Sequence, residues 1–88
     1  MRLIPDEDLI TICREIVAAG KTEKDWAASE SDDMFQRGSY CGGFDADENE
    51  FCFETVVDGV EYWFQFSLND AARIADGEAV TLEAREAG

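Results

Sequence analysis

The sequence predicts an α+β domain of order α-α-β-β-β-α-β, an antiparallel hairpin meander with helices packed on one face of the sheet. Three observations lead there: capped amphipathic stretches on either side of a strand run, a change to two-residue alternation after Gly38, and an Asp58-Gly59 turn between aromatic, β-rich segments. No repeat or linker divides the 88 residues, so residues 1–88 read as one small acidic domain. A chain of this size buries only a little over ~60% of the surface it exposes unfolded, and its core is correspondingly small.

The first helix follows from its signals. Pro5 fits the first helical position, Asp6, Glu7 and Asp8 load the positive end of the helix dipole, and Gly20 supplies a left-handed stop. Leu9, Ile12, Cys13, Ile16 and Val17 form one apolar stripe for the core. Thr22 opens a second, shorter helix through the box pattern "TEKD", in which the Thr22 hydroxyl takes a free N–H and Asp25 returns the bond; Trp26 anchors this helix. "SESDDMFQRGSY" then reads as a polar connection with one further helical turn, capped by Ser31 and pinned by Met34 and Phe35.

The strand run begins with "SYCGGF", whose glycines signal a bulge or a close contact and whose Tyr40 and Phe44 share a face. Asp58-Gly59 is the preferred two-residue hairpin turn, because both central residues must take positive φ. That turn sets the register: Phe51 faces Phe66, Phe53 faces Phe64, Thr55 faces Tyr62 and Val57 faces Val60 on a core side that is nearly continuous aromatic. The reverse side pairs Cys52 with Gln65, Glu54 with Trp63 and Val56 with Glu61, the mixture expected of a half-exposed sheet. "SLNDAARIADG" makes the third helix, with Ser67 and Asp70 in capping-box spacing and Gly77 as its stop. "AVTLEAR" alternates Val80, Leu82 and Ala84 against Thr81, Glu83 and Arg85 as a last strand whose pairing is open.

Composition narrows the function. A hydrophobic content of 45% is that of a folded protein, and no run approaches eighteen apolar residues, so a cytoplasmic globular protein is expected. Twenty-one acidic residues against seven basic ones give a net charge of −14, which repels nucleic acid and anionic membranes and calls for a basic protein partner. Cys13, Cys41 and Cys52 are odd in number and lack C-x-x-C spacing; they read as reduced thiols, and a Cys41–Cys52 bridge is not expected.

The densest charge lies in "GGFDADENEFCF". Asp45, Asp47 and Asn49 match the first three ligand positions of a calcium loop, but Glu50 replaces the required glycine and Val56 the required bidentate carboxylate. No metal or other cofactor is implied. There is no histidine, and the segment around Cys41 and Cys52 has no basic residue to activate a thiol, so an enzyme is not expected. Gly42-Gly43 lacks the lysine and the strand-to-helix setting of a phosphate loop.

Recognition is what remains. Between Arg37 and Arg73 stand eight acids and no base. Asp45, Asp47, Glu48, Glu50, Glu54, Glu61 and Trp63 are the candidate partner-binding residues, the Trp as anchor and the carboxylates for steering and orientation. Carboxylates spaced on a rigid sheet can occupy a groove built for nucleic-acid phosphates. The expected function is therefore a non-enzymatic inhibitor, a nucleic-acid mimic that masks a basic, nuclease-like or other nucleic-acid-binding partner. Toxin-immunity proteins and phage anti-CRISPR or anti-defence proteins share its charge and size, and only those. The alternative is a structural or adaptor interaction domain whose acidity serves solubility or a high-salt cytoplasm. For Trp63 the alternative is burial under a terminal helix or a homodimer partner.

Overall fold

Local capping starts each helix. In the computed structural model, which describes residues 1–29 and 34–87, α1 (Glu7–Ala18) opens at Asp6, whose carboxylate accepts the Leu9 N–H at 3.1 Å. Asp6 takes the capping role, so Pro5 lies one residue before the cap and not at the first helical position. Leu9, Ile12, Cys13 and Ile16 are buried, but Val17 is 44% exposed. At the helical repeat Val17 sits roughly 90° from the centre of that stripe, too far round to reach the sheet. Gly20 follows at φ +65°, as a left-handed stop requires.

Both bonds of the predicted capping box are present in α2 (Glu23–Ala28): Thr22 N–H to Asp25 at 3.0 Å and Asp25 N–H to the Thr22 hydroxyl at 3.2 Å. The Thr22 N–H, with a smaller contribution from the Thr22 hydroxyl, holds the Asp25 carboxyl below its ordinary range. Trp26 is buried, edge-on to Phe51 with ring centroids 5.3 Å apart. In α3 (Leu68–Ala75) the Ser67 hydroxyl accepts the Asp70 N–H at 3.0 Å, and the Asp70 carboxylate pairs with Arg73 at 3.4 Å.

The main sheet has five antiparallel strands in the order β2 (Met34–Arg37), β3 (Tyr40–Asp45), β4 (Glu50–Val57), β5 (Val60–Phe66) and β7 (Arg85–Glu86). β4 (Glu50–Val57) and β5 (Val60–Phe66) pair in the register set by the turn, from Phe51 opposite Phe66 to Val57 opposite Val60. Asp58 and Gly59 take φ of 52° and 80°, the positive values the two-residue turn needs. β3 (Tyr40–Asp45) continues the ladder without a bulge. Gly42 marks a close approach: a Cβ there would collide with the Cys52 carbonyl oxygen and lie 2.7 Å from the Phe53 Cα.

β2 (Met34–Arg37) corrects the sequence reading, which made Met34 and Phe35 part of a helical turn; Ser31, the proposed cap, lies outside the described residues. Pairing with β3 prevails because it turns Phe35 inward, between Trp26 at 5.9 Å and Phe53 at 6.3 Å. The last segment is divided. β6 (Leu82–Glu83) pairs with β1 (Arg2–Leu3), a strand the sequence reading did not include, whereas β7 (Arg85–Glu86) joins the edge of β5. Val80, Leu82 and Ala84 are buried, as their alternation predicts. At the changeover Ala84 exchanges main-chain hydrogen bonds with Met1, at 2.8 and 2.9 Å.

One core forms where the α1 stripe and Ala71 and Ile74 of α3 meet the stacked rings of Phe51, Phe53, Phe64 and Phe66. Thr55, the polar residue on this side, shares a 2.8 Å hydrogen bond with the Ser39 hydroxyl. Tyr40 packs edge-on to Phe64, and burial, reinforced by Asp6 and Asp8, raises its phenol above the ordinary value. The helices therefore cover one face of the sheet. On the other, Cys41, Glu54, Val56, Glu61 and Arg85 are exposed and Cys52, Trp63 and Gln65 are half-buried.

Candidate protein-binding face

The uncovered face is ordered by the strand register. Gln36, Cys41, Glu54, Trp63 and Arg85 stand in one row, one residue from each strand of the five-stranded sheet. At the usual strand spacing of ~4.8 Å the row is roughly 19 Å long. Met34, Gly43, Cys52 and Gln65 line up on one side of it, and Val56 and Glu61 on the other. Farther along the strands Asp45 pairs with Glu50. Alternation puts Asp45, Glu50, Glu54 and Glu61 on this same face. Glu54 and Glu61 are diagonal neighbours, ~7–8 Å apart by sheet geometry.

The turn between β3 and β4 is held by its own polar groups. Asp45 Oδ1 accepts the N–H of Asp47 at 2.9 Å and of Glu48 at 3.4 Å, and Asn49, at φ 58°, donates from Nδ2 to Glu23 at 2.6 Å. The turn is thereby tied to the start of α2. Asp47 and Glu48 are exposed on it, at the end of the face and not among its rows. The structure thus gathers Asp45, Glu50, Glu54, Glu61 and Trp63 on one surface, with Asp47 and Glu48 at its margin.

Trp63 is neither beneath a helix nor ringed only by carboxylates. The Arg85 guanidinium lies over its ring, 5.4 Å from the centroid. The absence of bases between Arg37 and Arg73 holds along the chain, but folding brings a base to Trp63 from β7. Arg85 was missed as a member of this surface. Its outward phase in "AVTLEAR" was legible, yet nothing local specifies the strand it joins.

Two hollows open near this face. One, of ≈ 500 Å³, is lined by Trp26, Met34, Cys41, Gly43 and Cys52, with Asp45 and Glu54 also contributing. The other, of ≈ 200 Å³, is lined by Glu50, Trp63, Phe64, Gln65, Glu83 and Arg85. The Trp26 indole N–H is buried without a hydrogen-bond partner among the described residues.

The three thiols are free. Cys41 faces Glu54 and Cys52 faces Gly43, so the two cysteines are diagonal neighbours. The ~7–8 Å of such a diagonal exceeds the ~4.4–6.8 Å Cα separation a disulfide bridges. Burial, together with the charges of Asp45 and Glu54, raises the Cys52 thiol, which keeps it protonated and a poor nucleophile. Burial pushes Cys13 up to about 12. Among the described residues no three His, Cys, Asp or Glu side chains are placed to hold one metal ion. Asp45 already binds the backbone of its own turn. The surface presents carboxylates and contact area around Trp63.

Comparison with known proteins finds no matching family model, no similar curated protein and no similar solved structure. Among the described residues no helix is long and apolar enough to cross a membrane.

Proposed function

We propose that this chain is a non-enzymatic acidic binding protein that docks the uncovered sheet face onto a basic partner, of nuclease or other nucleic-acid-binding type, and thereby inhibits or masks it. One observation carries the reading: Asp45, Glu50, Glu54 and Glu61 share with Trp63 the sheet face that the helices leave bare, in a chain of net charge −14. A rigid sheet holds such carboxylates at fixed spacing before contact, which lowers the ordering cost of association. Their field speeds encounter with a cationic groove. Burial of the half-exposed Trp63 supplies the apolar contribution that charge alone lacks.

Met34 and Val56, 59% and 46% exposed on the same face, favour a second reading, an adaptor whose ordinary apolar contact lies here. Salt and competition separate the two. The immobilised domain is used to recover proteins at low salt, which are then challenged with duplex DNA and with a rising salt gradient. For a mimic, the retained protein binds nucleic acid, leaves with either challenge, and binds the Glu54→Gln/Glu61→Gln variant at least about tenfold more weakly. Retention that is indifferent to salt, to DNA and to both substitutions refutes it and leaves the adaptor reading.

A further inference from the structure

The face around Trp63 contains the parts of an arginine site, and its own Arg85 meets only one of them. An arginine bound at a protein surface makes two kinds of contact: its planar cation stacks on an aromatic ring, and its N–H groups pair with carboxylate oxygens. Arg85 makes the first, lying over Trp63 at 5.4 Å. The ion pairs among the described residues join Arg37 to Asp8, Arg73 to Asp70 and Glu78, and the N-terminus to Glu83, and none of them includes Arg85. Glu54, directly across from Trp63, and Glu61, two positions before it, likewise appear in none of these pairs. The ≈ 200 Å³ hollow on the Gln65 side of the ring is lined by Trp63 and Arg85 with Glu50, Gln65 and Glu83, and Glu54 and Glu61 lie outside it.

Strand geometry explains the division. Trp63 faces Arg85 on one side and Glu54 on the other. Arg85 thus starts from the strand beyond Trp63 as seen from Glu54, about two strand spacings or ~10 Å away. Its chain can be over the ring or extended past it toward Glu54, but not both, and Glu61, its diagonal neighbour at ~7–8 Å, is not paired with it either. A guanidinium arriving from outside the sheet has no such tether and can satisfy ring and carboxylates together.

We infer that the surface of Trp63, Glu54 and Glu61 is a docking site for one arginine side chain of a basic protein partner, and that Arg85 occupies the ring until that arginine displaces it. The inference rests on the reading of this face as an acidic binding surface and specifies its chemistry. The net charge of −14 selects a cation. The ring selects arginine over lysine, because a guanidinium is planar and more weakly hydrated than an ammonium group. Arg85 competes for that ring, so it weakens an incoming arginine more than a lysine, which gains little from the ring in either case.

The test uses the full-length, ¹⁵N-labelled chain with hexa-arginine and hexalysine peptides as probes, followed through the Trp63 indole N–H signal and through binding isotherms at low salt. Hexa-arginine is expected to move the Trp63 signal and to bind about threefold or more tighter than hexalysine. Arg85→Gln should widen that ratio, because the internal competitor is gone; the ratio corrects for the added negative charge, which strengthens both peptides alike. Trp63→Leu, checked for retained folding by its thermal melt, should bring the ratio close to one. Equal affinities with an unmoved Trp63 signal, while Glu54→Gln/Glu61→Gln still weakens both peptides, would overturn the arginine site and leave the acidic face standing. Failure of both peptides to bind would overturn the two together, and a ratio that narrows in Arg85→Gln would overturn the displacement.

Discussion

Replacing Gly42 by alanine tests the packing that holds the uncovered sheet face in place. A Cβ on Gly42 would collide with the Cys52 carbonyl oxygen, and would lie 2.7 Å from the Phe53 Cα and 2.8 Å from the Phe53 Cγ. Carbon atoms prefer separations of ~3.5–4.0 Å, and two of these neighbours are backbone, which no rotamer change can move. Relief therefore requires β3 and β4 to part by roughly 1 Å along a ladder running from Cys41–Glu54 to Asp45–Glu50. Overpacking of this kind costs about 1–3 kcal/mol, and a weakened ladder hydrogen bond adds about 1 kcal/mol. A loss of about 3 kcal/mol lowers Tm by about 12–24 °C in a domain of this size. Thermal and urea unfolding followed by far-UV circular dichroism measure it. Gly59→Ala is the control: nothing lies within 4 Å of its added Cβ, so only the left-handed backbone at φ +80° is penalised, by about 1–2 kcal/mol. If Gly42→Ala costs no more than Gly59→Ala, close approach of the strands is not what requires glycine at position 42.

Thr22→Ala removes the hydroxyl that accepts the Asp25 N–H and should lower Tm by about 5 °C. Asp25 is held below its ordinary pKa of 3.8 first by the Thr22 main-chain N–H, which the variant keeps, and then by the Thr22 hydroxyl, which it loses; the hydroxyl's share is present above that pH and lost as pH falls through the depressed value. Melts of the variant between pH 5 and pH 2, about the window in which such a carboxyl titrates, should accordingly show a weaker acid dependence. Cys13 behaves in the opposite sense: burial lifts its thiol from 9.0 to about 12, so the folded state favours the protonated form. Its contribution is complete below the ordinary value and fades as pH rises toward the folded one, by up to about 4 kcal/mol. Cys13→Ala should lose less Tm over that alkaline interval than the parent protein does, with Cys52 and Tyr40, also raised, contributing to the slope that remains.

Much of the fold was legible because its signals are local. Asp58-Gly59 and the alternation around it determine the β4–β5 register residue by residue, since a slip of one position would turn Phe51, Phe53, Phe64 and Phe66 out of the core. Thr22 and Ser67 determine two helix starts through bonds that span three residues. Met34 and Phe35 were misread because an apolar pair after a polar run is locally compatible with a helical turn. The competing ladder to β3, and the aromatic contacts of Phe35 with Trp26 and Phe53, become visible only once the chain has folded.

The candidate site divides along the same line. By itself the sequence determined that Glu54, Glu61 and Trp63 share one side of a hairpin, because turn type and two-residue periodicity suffice for that. It also determined the net charge of −14, which is what the partner proposed for this face has to complement. Which side of the sheet stays bare depended on where α1 and α3 pack, and the neighbour of Trp63 depended on how the last segment divides between β1 and β5. Those pairings join residues as far apart as Arg2 and Glu83, where hydrophobic packing and ladder hydrogen bonds select the partner and no short-range preference does. Arg85 accordingly reads as one more outward-facing residue of a final strand in the sequence, and only the tertiary structure sets it over Trp63.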